Sequence, residues 1–73
     1  MYVLKTHDGR YSTRGVLKTT DIEQARQWTE EEMQRHLEYE TGHRETFAAF
    51  EDEVRATIEA LRDRAVTLAR LLP

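Results

Sequence analysis

Cysteine is absent from this 73-residue chain, which excludes disulfide staples and thiolate metal sites. Proline occurs once, at Pro73, and glycine three times, so few positions can break a helix or supply a left-handed turn. Serine occurs only at Ser12, and no Gly-x-Ser-x-Gly elbow or glycine-rich phosphate loop is present. Nucleophilic catalysis therefore has little to build on, and a non-enzyme is expected. No uninterrupted apolar run exceeds four residues, Phe47-Ala48-Ala49-Phe50 being one, against the roughly 20 needed to span a bilayer. Met1-Tyr2-Val3-Leu4-Lys5 lacks the charged-then-apolar layout of a signal peptide. The expectation is a cytoplasmic protein with no membrane partner and no cofactor.

What is present argues for folding. Apolar residues make up 38% of the chain beside 34% charged residues, a balance that suits a packed domain better than disorder. A chain this short buries only about 60% of the surface it exposes when unfolded. With disulfides excluded, association with a partner is the expected supplement. The net charge of −3 is unevenly spread. Residues 1–19 carry +3, residues 20–41 carry −5 and the remainder −1, giving a basic head and an acidic middle.

The expected class is α+β in one domain over residues 1–73: a two- or three-stranded antiparallel β element packed on a helix, then a long amphipathic helix. Residues 1–19 form the hairpin region. Tyr2 to Thr6 is strand-like, Asp8-Gly9 is a turn signal, Tyr11 to Thr13 can return, and Val16 to Thr19 can add a third strand. Residues 20–41 form an acidic helix opening at a Thr20-x-x-Glu23 box. A second box, Thr29-x-x-Glu32, marks a break near Thr29. Gly42 can close that helix in the left-handed conformation.

Phe47, Phe50, Val54, Ile58, Leu61, Ala65, Leu68 and Leu72 recur at steps of 3 or 4, which predicts an amphipathic helix over 43–72. Pairs Glu51–Arg55 and Glu59–Arg62 fit its surface. At 1.5 Å per residue such a helix is about 43 Å long, whereas a compact chain of this length is about 30 Å across. It must overhang. Self-association through Leu61, Ala65, Leu68 and Leu72, giving a homodimer, is the expected way to cover the overhang.

Residues 2–37 resemble a pattern found in many small phage and prophage proteins. The carrying residues are Tyr2-Val3-Leu4-Lys5, Asp8-Gly9-Arg10-Tyr11, Thr20-Asp21-Ile22-Glu23-Gln24-Ala25-Arg26-Gln27-Trp28 and Thr29-Glu30-Glu31-Glu32-Met33. The resemblance implies a hairpin followed by an Asp-apolar-x-x-Ala-x-x-aromatic piece and a helix. It further implies binding to a host protein or complex, as anti-CRISPR and other anti-defence inhibitors do. The alternatives are a self-associating structural module and a small nucleic-acid-associated regulator.

Candidate surfaces follow. Glu30, Glu31, Glu32 and Glu38, with Glu23 and Glu40, can present carboxylates to a basic partner groove, or simply solvate a helix. Trp28 and Tyr39 share a helix flank and can form an aromatic anchor if it is exposed. Lys5, Arg10, Arg14 and Lys18 with Tyr2 and Tyr11 could contact phosphates and bases, but four positive charges beside an acidic helix make a weak field. His36, Glu40 and His43 have metal-ligand spacing. Gly42 between the last two argues against a site, and none is assigned.

Overall fold

The structure, a computed structural model, describes residues 1–39 and 45–73. The chain is α+β, with a two-stranded antiparallel sheet and, among the described residues, two α-helices, the second of which projects. Strand β1 (Tyr2–Lys5) is followed by a 3-10 helix at Ile22–Gln24, helix α1 (Glu30–Tyr39), strand β2 (Thr46–Ala49) and helix α2 (Phe50–Ala69).

β1 pairs with β2, in the register Tyr2↔Ala49, Val3↔Ala48, Leu4↔Phe47 and Lys5↔Thr46. This corrects the expected hairpin. The Asp8-Gly9 turn does form: Gly9 takes φ 84°, its N–H donates to the Thr6 carbonyl at 3.0 Å, and Thr6 N–H donates to the Arg10 carbonyl at 2.8 Å. The returning chain makes only single-residue bridges, Lys5↔Tyr11 and Tyr11↔Thr19. Residues 14–17 bend outward, and Val16 is 98% exposed, so no third strand runs over 16–19. The other edge of β1 is closed by Tyr2↔Trp28, with both backbone bonds made at 2.9 and 2.7 Å.

β1 is therefore the central strand, covered along both edges, and Val3, Leu4 and Tyr11 are the buried hydrophobic residues among those described. The thinness of this core follows from chain length.

The break near Thr29 is sharp. Asp21, not Thr20, caps the 3-10 helix by accepting from Glu23 N–H at 3.0 Å, and residue 25 is already extended. At Thr29 the capping box is complete in both directions. Glu32 N–H donates to Thr29 Oγ1 at 3.2 Å, and Thr29 N–H donates to Glu32 Oε1 at 2.9 Å. Glu30, Glu31 and Glu32 fill the first turn of α1, where the helix dipole favours carboxylates.

The expected helix over 43–72 is shorter. Thr46–Ala49 is instead a strand paired with β1 along its whole length, and the Phe47 ring lies 5.4 Å from that of Trp28. Helix begins at Phe50, whose N–H donates to the Met1 carbonyl at 3.0 Å. Glu51, Asp52 and Glu53 form its first turn. Past Ala69, turns continue through Leu71 N–H to Leu68 O and Leu72 N–H to Ala69 O, at 3.0 and 3.2 Å. The molecule measures 54 × 21 × 19 Å with a radius of gyration of 14.9 Å, against about 11 Å for a compact chain of this length.

Candidate functional site

The root of α2 is fixed by three side chains. Tyr11 Oη donates to Glu53 Oε2 at 2.7 Å, and Lys5 Nζ donates to the same oxygen at 3.0 Å. One carboxylate thereby joins the central strand, the returning chain and the helix. Burial pushes the Glu53 pKa up, but the bonds from Tyr11 and Lys5 outweigh it and leave Glu53 below the ordinary carboxylate range. Burial first, and then the bond to Glu53, raises the Tyr11 phenol to about 12. Glu53 follows Glu51 and Asp52 in an acidic run at the start of α2. Its strand partners are 42 and 48 residues away, so no local spacing announces them. Nearby, Arg55 pairs with Asp52 at 2.8 Å rather than with Glu51.

A second cluster ties α1 to β2. Trp28, His36 and Phe47 form a triangle of rings with centroids 5.2, 5.4 and 5.6 Å apart, two of the contacts edge-to-face. The Arg26 guanidinium lies 3.9 Å from the Trp28 ring centre. Trp28 is half-buried and turned toward this cluster, whereas Tyr39 is 88% exposed at the end of α1. The expected Trp28–Tyr39 patch is therefore not assembled. His36 serves packing here; Glu40 and His43, its proposed companions, lie outside the described residues. No group of three or more His, Cys, Asp or Glu residues suited to a metal occurs among the described residues.

The acidic candidates divide. Glu32 belongs to the capping box and meets Arg26 at 3.2 Å; the Thr29 bonds, backbone first, hold its carboxyl below the ordinary range. Glu31 pairs with Arg35 one turn on. Glu30 and Glu38 are exposed on α1. Two of the four carboxylates are thus engaged within the molecule.

Neutralisation is more complete in the basic head. Lys5 is bonded to Glu53, Arg10 Nη2 to Asp8 at 2.9 Å, and Lys18 to Glu45. The Asp8 carboxyl is lowered to about 2, first by the Thr6 hydroxyl and then by Arg10. Three of the four cations proposed for phosphate contact already face carboxylates. The depression beside them, about 240 Å³ and lined by the polar and charged residues Thr6, His7, Asp8, Arg10, Lys18 and Glu45, is smaller than the usual ligand pocket of about 300–1,000 Å³.

The self-association candidates Leu61, Ala65 and Leu68 stand on the outer part of α2, and Leu72 in the turns that follow it. From Ile58 to Pro73 every residue is exposed. Leu61 is 61%, Leu68 49% and Leu72 74% exposed, and Ala65 lies between them on the same side. Ile58, Val66 and Leu71 add to the uncovered apolar area. No helix among the described residues is long and apolar enough to cross a membrane, so a bilayer core is not what this helix spans.

No family model, no curated protein and no solved structure matches the chain.

Proposed function

We propose that this protein is a non-catalytic association module whose binding face is the outer half of α2 and the turns that follow it, residues 58–72. The carrying observation is an apolar stripe left uncovered over five consecutive seam positions, on a helix that extends well past its own body. Fully burying one leucine contributes about 1.5–3 kcal/mol, and a domain this small has only a few kcal/mol of net stability. Several wet leucines are therefore a large unused term, and association is the process that recovers it. The narrower proposal, a phage-encoded inhibitor that blocks or redirects a host macromolecule, would use this face together with the exposed carboxylates of α1.

The test is site-specific photo-crosslinking in cells, with a benzophenone amino acid in place of Ala65 or of Asp63 on the opposite side of α2. The expected result is covalent adducts from position 65 and none from position 63. Absence of any adduct from 65, to itself or to another protein, would overturn the reading.

A further inference from the structure

We infer that the occupant of the α2 face is a second copy of this chain, packed antiparallel along residues 58–72. This rests on the association reading above and names its partner. Three observations favour a second copy in that orientation.

The first is register. Val54, Leu61 and Leu68 are seven residues apart, as are Ile58, Ala65 and Leu72, and the two sets interleave at steps of 4 and 3. That is the a/d pattern of a seam that packs against a helix of the same kind.

The second is geometric. At roughly 100° per residue, the side of α2 carrying this seam also carries Phe50, Val54 and Thr57. Those residues and Glu53 are half-buried against the body, while Ile58 onward is bare. The seam is thus occupied by the chain's own body for its first two turns and open thereafter. A parallel partner in register would have to place its own first turns where the body already sits. An antiparallel partner overlaps only the open portions, at most about 22 Å for the 15 residues 58–72 at 1.5 Å each. One body then lies at each end, and a two-fold axis passes between Val66 and Thr67, next to Ala65. Its small side chain at the crossing permits close approach of the helices.

The third is charge. Arg62 and Arg64 flank the seam. With the axis between Val66 and Thr67, the nearest residue to Arg62 on its own flank is Ala69 of the second copy, and the nearest to Arg64 is Leu71 of the second copy. Neither arginine meets another cation, and the arginine stems can cover apolar surface.

Two helices about 10 Å across in contact over that length remove on the order of 1,000 Å² from water, at the low end for a specific interface. Self-association in the micromolar range is the corresponding expectation.

Light scattering from about 5 to about 200 μM is expected to show the mass rising from 8.6 kDa toward twice that value. Leu61→Glu with Leu68→Glu abolishes the rise. Leu61→Ala with Leu68→Ala, which keeps helix propensity, also abolishes it. Orientation is read by mixing Leu61→Cys and Leu72→Cys chains and oxidising them. The antiparallel seam gives mostly the mixed 61–72 disulfide. Dominant 61–61 and 72–72 products would overturn the orientation. A single-chain mass at the highest concentration would overturn the second copy. In that event, foreign adducts at position 65 would leave the association reading standing, and no adducts would remove both.

Discussion

Glu53→Gln is the perturbation that most directly probes how α2 is held to the sheet. The substitution preserves shape but removes the charge that accepts from Tyr11 at 2.7 Å and Lys5 at 3.0 Å. A hydrogen bond to a charged group contributes about 1.5–3 kcal/mol. Glutamine keeps one neutral acceptor, so a net loss of about 1.5 kcal/mol is expected. For a domain of this length that lowers Tm by about 6–12 °C. The assay is thermal unfolding followed by circular dichroism in dilute protein, so that association adds nothing. Wild type, Glu53→Gln, Tyr11→Phe and the double variant form a cycle, and the pair should couple by at least about 0.5 kcal/mol. The pH dependence has a definite sign. Because the folded-state pKa of Glu53 lies below its ordinary value of 4.5, its contribution is complete above that pH. It is lost as pH falls through the folded-state value. The gap between wild type and Glu53→Gln should therefore narrow as pH falls below 4.5 and close once pH is below the folded-state value. A Tm change of less than about 2 °C at pH 7, or a gap that persists unchanged in acid, would refute the hub.

Three further outcomes follow from the same geometry. Leu4→Ala, at a position only 6% exposed, should cost about 2–5 kcal/mol and leave the chain largely unfolded at room temperature, read as loss of the cooperative transition. Thr29→Ala removes one half of the α1 capping box and should cost about 1 kcal/mol, with denaturant midpoint as the measure. Spectrophotometric titration should find one phenol ionising near pH 12, and Glu53→Gln should bring that step down; an unmoved step would contradict the assignment to Tyr11.

Local chemistry was legible in the sequence, and long-range pairing was not. The Asp8-Gly9 turn and the Thr29 box depend on residues within four positions of one another, and both form. β1 and β2 are separated by 40 residues, and nothing in Thr46-Phe47-Ala48-Ala49 distinguishes a strand from a helical turn when Phe47 and Phe50 also fit a 3.6-residue period. Glu51-Asp52-Glu53 is the acidic first turn that marks a helix N-terminus, and it places the start at residue 50 where periodicity placed it at 43. For the candidate surfaces, the stripe Leu61, Ala65, Leu68, Leu72 was readable because period and length sufficed. The fate of Trp28 was not, since its partners His36 and Phe47 come from two different elements. The four basic residues of the head looked like a patch only because Glu53 and Glu45, which neutralise two of them, lie far along the chain.

Hydrogen exchange along α2 tests the central claim most directly, namely that the outer half of this helix is covered by a second copy. A bare helix end of about 12 residues is marginal in water, so in dilute protein the amides of residues 58–69 should exchange far faster than those of β1. At concentrations where light scattering reports the dimer, the account predicts slowing of those amides by tenfold or more, with β1 little changed and Leu61→Glu with Leu68→Glu restoring fast exchange. Exchange of residues 58–69 that stays fast at every concentration would contradict it.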